Sequence, residues 1–196
     1  MTVKYFLSVL LLCLGIGAFS QRVVDARQTE LKDKLLFYKG ENKPFTGTTV
    51  VWMAAGVKQI EAQYLDGKLN GVETTWYAEG KPMMEITYRD GEFNGTYRFY
   101  YAEGGLEYEK TYSNGMMNGP AVHFYPDGSK ESEGNYTDCH ETGAWTFYHN
   151  NGKKMKEGTF EKGFEEGVWM FWDENEKLIK AVTYRSGEVI TERIVN

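Results

Sequence analysis

The stretch that decides the fold is GVETTWYAEGKPMMEITYRDGEFN, residues 71–94. Its opening, VETTWY, is rich in β-branched and aromatic residues and predicts a strand. AEG follows, a turn that ends on a residue free to take positive φ. PMMEITY predicts a second strand, with Pro82 confined to its first position or to an edge because proline donates no ladder hydrogen bond. RDG closes the stretch, and Asp-Gly is a strong hairpin signal. These 24 residues therefore read as two short strands and two tight turns.

The same reading recurs without insertion or deletion. Glycine stands at 47, 71, 95, 119, 143 and 167. Five residues after each lies an aromatic: Trp52, Trp76, Tyr100, Phe124, Tyr148 and Trp172. Seventeen after each lies another, from Tyr64 to Tyr184, with Phe160 in the fifth copy. Glutamate recurs at Glu61, Glu85, Glu109, Glu133 and Glu157, with Ala181 in the sixth. A turn glycine recurs at 67, 91, 115, 163 and 187, and Cys139 takes its place in the fourth copy. Short connections make successive strands adjacent and antiparallel. Six units (47–70, 71–94, 95–118, 119–142, 143–166 and 167–190) thus predict an all-β protein. Its form is an elongated antiparallel β-meander in a single twisted sheet. One hairpin is barely stable alone, so each unit must stack on the next. The ends differ. Residues 21–46 read as a leader and N-terminal cap: 22–30 as a loose leader, then LLFY as a strand before a Pro-bearing turn. Residues 191–196 form the C-terminal end, and EVITERIVN (188–196) reads as a last edge strand whose charges discourage further pairing.

Composition sets outer bounds. The chain has 196 residues, with 22 Gly, 4 Pro, 14 Tyr, 11 Phe and 5 Trp, as strands joined by tight turns require. Its net charge of −6 disfavours nucleic acid and anionic lipid, which call for a basic surface, and favours basic or neutral protein partners. The first 20 residues carry Lys4, an apolar run over 5–17 and small residues before Gln21. That pattern predicts a signal peptide cleaved between Ser20 and Gln21, hence an exported protein of the periplasm, cell envelope or exterior. Lipidation at Cys13 is disfavoured, because Leu12 precedes it where a small residue is wanted. Cys139 then remains as the one cysteine, with no internal disulfide framework.

The unit G-x-W-x-x-Y-x-x-x-G-x-x-x-x-E-x-x-Y-x-x-G, best copied at GAWTFYHNNGKKMKEGTFEKG (143–163), resembles the MORN-repeat variant. The opening LLFYKGENKPFTG is similar to that of YwqK-type proteins, labelled antitoxin components of toxin–antitoxin modules. The resemblance covers roughly residues 31–190. It implies a single-layer sheet used for protein–protein contact, and on the YwqK side a toxin as the partner. An antitoxin that acts in the cytoplasm fits poorly with an export signal: either the label is carried by repeat similarity alone, or this is an immunity-type protein acting outside the cytoplasm.

The chemistry of catalysis is hard to find. Cys139, His140 and Glu141 adjoin in YTDCHETG (136–143), yet aligned with its sister turns Cys139 is a drifted turn residue rather than a nucleophile. His123, His140 and His149 fall at no recognised ligand spacing. We therefore expect no catalytic residue, no cofactor and no metal. The recurring glutamates read as a solvated row paired with lysines or with neighbouring turns. Aromatics remain as the candidate anchors. Strand alternation puts Trp145 and Phe147 on one face, Trp169 and Phe171 likewise, and Tyr97, Phe99 and Tyr101 together. Tyr97, Tyr101, Trp145, Phe147, Trp169 and Phe171 are thus the expected partner-binding set, since exposed aromatic patches mark interaction sites. The expected function is a non-enzymatic interaction or scaffold module. Toxin neutralisation and binding of a cell-envelope glycan, on whose sugar rings aromatic faces stack, are the alternatives.

Overall fold

The computed structural model describes residues 22–54 and 56–195; the expected cleavage site at Ser20 and Gln21 lies outside them. Three elements open the chain: β1 (Val23–Asp25), a 3₁₀ turn (Ala26–Gln28) and the hairpin of β2 (Thr29–Lys32) with β3 (Leu35–Tyr38). The units then run as β4 (Gly47–Trp52), β5 (Lys58–Leu65), β6 (Lys68–Trp76), β7 (Pro82–Arg89), β8 (Glu92–Tyr100) and β9 (Leu106–Ser113). They continue as β10 (Met116–Phe124), β11 (Lys130–Thr137), β12 (His140–Tyr148), β13 (Lys154–Glu161), β14 (Phe164–Trp172), β15 (Leu178–Arg185) and β16 (Glu188–Ile194). Strands β4 to β16 pair in sequence order, and with β1 they make one sheet of 14 strands. From β4 onward every pairing is antiparallel, as the meander predicts.

The opening residues correct two expectations. The segment read as a loose leader is ordered into β1, the 3₁₀ turn and β2. Moreover β1 pairs with β4 in parallel, so the sheet is not wholly antiparallel. The excursion through the β2–β3 hairpin returns the chain alongside β1 in the same direction. Thr48 N–H donates to Arg22 O at 2.8 Å, and Val24 and Phe45 are buried. The hairpin closes the first unit as a cap: Leu36 N–H bonds Gly67 O and Gly67 N–H bonds Phe45 O, both at 2.8 Å. At the far end β16 is exposed along its whole length and pairs only with β15.

From the second unit onward, each unit's glycine sits inside a strand rather than ahead of it. β6 begins at Lys68 and passes through Gly71, where φ is +109° and the ladder shifts register. The extra residues form a bulge that an L side chain would strain. The Asp-Gly positions behave as read. Asp66–Gly67, Asp90–Gly91 and their copies take positive φ at both residues, the twist-matched hairpin turn. Cys139 takes φ +66° in the same turn, and Glu176 takes the same value in the other turn, where the five earlier units have Gly56, Gly80, Gly104, Gly128 and Gly152.

The units are stitched along both long edges. On one, the N–H of each narrow turn reaches the strand of the previous hairpin: Gly91 to Leu69 O at 2.8 Å, Gly115 to Phe93 O at 2.9 Å, Cys139 to Met117 O at 3.0 Å. On the other, Tyr77, Tyr101 and Tyr125 donate through their hydroxyls to the carbonyls of Tyr100, Phe124 and Tyr148, at 2.6–2.7 Å. His149 holds the fourth place in this ladder, its Nε2 3.0 Å from Trp172 O, so Nε2–H is the donor.

Candidate interaction faces

Strand alternation divides the sheet into two unlike faces. The first is packed by aromatics. In the middle units Phe93, Tyr97, Tyr108 and Tyr112 interlock, with Tyr97 stacked on Tyr108 at 5.7 Å between centroids. In the last units Trp145, Phe147, Phe160, Trp169 and Tyr184 form a second cluster. Along its centre runs one row of buried positions, in which volumes compensate. Trp145 lies over Gly134 and Trp169 over Gly158, so closely that a Cβ on either glycine would fall 2.1–2.2 Å from an indole atom. The equivalent positions elsewhere are Ala62 between Thr49 and Glu73, Ile86 between Glu73 and Tyr97, Lys110 between Tyr97 and Ala121, and Val182 between Trp169 and Glu192.

Two charges interrupt that row. Glu73 carries a carboxyl raised above its ordinary range by burial, and Lys110 an ammonium lowered for the same reason. Lys110 lies 4.5 Å over the Tyr108 ring. His123, stacked on Tyr108, is lowered by burial and then by Lys110.

The second face carries the recurring glutamates, and each is paired. Lys58 bridges Glu61; Lys130 bridges Glu133 at 2.8 Å and Lys154 bridges Glu157 at 2.6 Å. Arg98 lies between Glu109 at 2.6 Å and Glu85 at 3.6 Å. Tyr100 and Tyr148 add hydroxyl donors to Glu85 and Glu133. Lys130 first, then the Tyr148 hydroxyl, lowers the Glu133 carboxyl. Charge pairing and solvation explain the row, as the sequence reading anticipated.

The expected anchors separate into three groups. Trp145 and Trp169 are 4% and 1% exposed and form the core with Ala121, so their rings are closed to a partner. Tyr101 lies past the end of β8, and its hydroxyl serves the edge ladder. It does not share the Tyr97 face as a free ring. Tyr97, Phe147 and Phe171 are half-buried on the aromatic face. Sequence reading passed over Tyr77 and Tyr125; their 24-residue recurrence with Tyr101, one place after the marked aromatic, is the signal that reveals the ladder. Cys139 is exposed and free, and its Sγ accepts from Met117 N–H at 3.3 Å. His140 Nδ1 is held by the Asp138 carbonyl at 2.8 Å. Among the described residues no three His, Cys, Asp or Glu side chains are grouped to share a metal ion.

A one-layer meander whose hairpins are joined by turn-to-strand bonds and a tyrosine ladder is an end-capped β-repeat protein. The chain belongs to the MORN repeat variant family, whose model matches residues 69–90, 93–114, 117–138, 141–162 and 165–186, more than half of its length. These matches share the 24-residue period and begin two residues before each bulge glycine. Among solved structures it is similar to a chain of the Glycosylation Associate Protein (Gap123) complex from Streptococcus agalactiae. That likeness has 14% identity and a TM-score of 0.34 over 54% of this chain, and it spans only 19% of the other. No curated protein matches the sequence.

Proposed function

We propose that this protein is an exported, non-enzymatic binding module that offers one face of its sheet to a protein partner. One observation carries the reading: the 14 strands form a single layer, and apart from the terminal hairpin no described residue covers either face. Aromatic rings that a second layer would normally cover stay half-exposed, among them Phe147 and Phe171. Large apolar surface left open in this way is typical of an interaction surface. Export rests on the apolar run and small residues of positions 5–20. A toxin as the partner would make the protein an immunity factor, and an envelope glycan would make it a wall-associated module; both use the same surface.

The test is affinity purification of the tagged protein from its native host after fractionation. A stoichiometric protein partner in the exported fraction is the expected result. Recovery only from the cytoplasm, or recovery of carbohydrate without protein, would overturn it.

A further inference from the structure

The aromatic face changes character towards β16. One line of paired residues crosses the last five strands: Phe147, Lys156, Phe171, Lys180 and Ile194. Aromatic and cation alternate along it. Lys156 Nζ lies 4.3 Å from the Phe147 centroid and 5.2 Å from that of Trp169, and Lys180 Nζ lies 4.9 Å from that of Phe171. On the opposite face Lys58, Lys130 and Lys154 each hold a glutamate three residues on. Lys156 has no such carboxylate among the described residues. Lys180 has one, Glu192 of the exposed terminal strand, at 3.0 Å. That pair shows the chemistry this line accepts: a carboxylate reaching an ammonium that rests on a ring.

We infer that this line binds an extended acidic segment of a partner protein, with carboxylates three residues apart meeting Lys156 and Lys180 while its backbone crosses Phe171 between them. The inference rests on the protein-binding reading above and narrows the partner's chemistry. Spacing selects the ligand conformation. The two lysines are two strands apart, about 9.5 Å at the usual strand separation. A polyproline-II chain has three residues per turn and rises about 3.1 Å per residue, so its positions i and i+3 project on one side about 9.3 Å apart. Alternate residues of a β-strand project only about 6.7 Å apart and would miss one lysine. The incoming carboxylate replaces Glu192, an exposed partner that is readily exchanged. Net charge does not oppose the contact, since exposed charges more than about 8 Å away are screened at physiological salt. The overall acidity of the chain points to basic or neutral partners; the two ring-borne lysines give this line the opposite preference.

The experiment uses the full chain and fluorescent proline-rich peptides with glutamates at i and i+3. Anisotropy should report salt-sensitive binding that weakens at least about tenfold in the K156Q/K180Q protein and also when the peptide glutamates become glutamine. The K58Q/K130Q protein, altered on the opposite face, should bind as wild type. Because the peptide variants leave the protein untouched, misfolding cannot produce their effect. Undetectable binding, equal binding of the glutamine peptide, or indifference to K156Q/K180Q would overturn the site. Should the native partner still be captured by K156Q/K180Q, the site fails while the binding-module reading stands; should wild type capture none, that reading fails.

Discussion

At the residue scale, the structure answers why one repeat in six carries cysteine where its sisters carry glycine. Cys139 adopts φ +66° because its turn needs positive φ at both central residues. A non-glycine residue there bears a penalty of about 1 kcal/mol. The Cys139 N–H keeps the turn-to-strand bond to Met117 O that its glycine sisters make, so the stitch survives the substitution. The thiol's acceptance from Met117 N–H is a weak compensation. Cys139→Gly should therefore raise the melting temperature by about 2–4 °C, as about 1 kcal/mol does in a domain of this size. It should leave partner binding unchanged. An unchanged or lowered melting temperature would mean that the thiol contact outweighs the strain. The slot was legible from the alignment of turns alone. The burial of Trp145 and Trp169 was not, because alternation says which residues share a face but not which face is packed. The clue lay in Gly134 and Gly158, small residues at positions where other units carry larger ones, each beneath an indole.

At the element scale, the hairpin is the unit of pairing and the stitches between hairpins make it a protein. Period, turn chemistry and strand identity were all readable, since Asp-Gly turns and aromatic spacing are local signals. The parallel pairing of β1 with β4 was not, because it depends on where a capping hairpin returns the chain, a tertiary event with no local signature. The tyrosine ladder can be tested one rung at a time. Tyr125→Phe removes the hydroxyl donated to Tyr148 O and should cost about 1 kcal/mol, seen as an earlier thermal transition. If Tyr125→Phe melts with wild type, the rung contributes nothing. Two other tyrosines, whose hydroxyls donate to the glutamate row, set an alkaline limit. Burial, then the partner carboxylate, pushes the phenols of Tyr100 and Tyr148 up to about 12, with Glu85 and Glu133 as the partners. Their folded-state values lie above the ordinary phenol value of about 10. The stability they contribute is therefore complete below pH 10 and is lost as pH rises from 10 through about 12. The melting temperature should fall over that window, and Glu85→Gln with Glu133→Gln should shift tyrosinate absorbance to lower pH. Absorbance that develops at the same pH in that double variant would count against the pairing.

At the scale of the whole molecule, every substantial contact between sheet strands joins pairing neighbours, so the array is quasi-one-dimensional and stability accumulates unit by unit. Such an array tolerates loss of a whole unit if the new junction repeats the old packing. The row of compensating volumes decides which unit can go. Deleting 143–166 joins Thr142 to Gly167 and lays Trp169 over Gly134, as Trp145 lay before. Turn and bulge positions keep their phase, since exactly one period is lost. Deleting 119–142 also preserves phase, but it lays Trp145 over Lys110, whose stem and charge take the place of the glycine hydrogen. The two variants have equal length and nearly the same hairpin chemistry, so propensity cannot separate them. The 143–166 deletion should unfold cooperatively at a melting temperature a few degrees below wild type. The 119–142 deletion should lie lower still by roughly the 1–3 kcal/mol expected of an overpacked core. Lys110→Gly in that second variant should recover much of the difference, because it restores the missing hollow beneath the indole. Equal melting temperatures for the two deletions would mean that the repeats are held by their backbone stitches alone and that the indole–glycine fit is incidental.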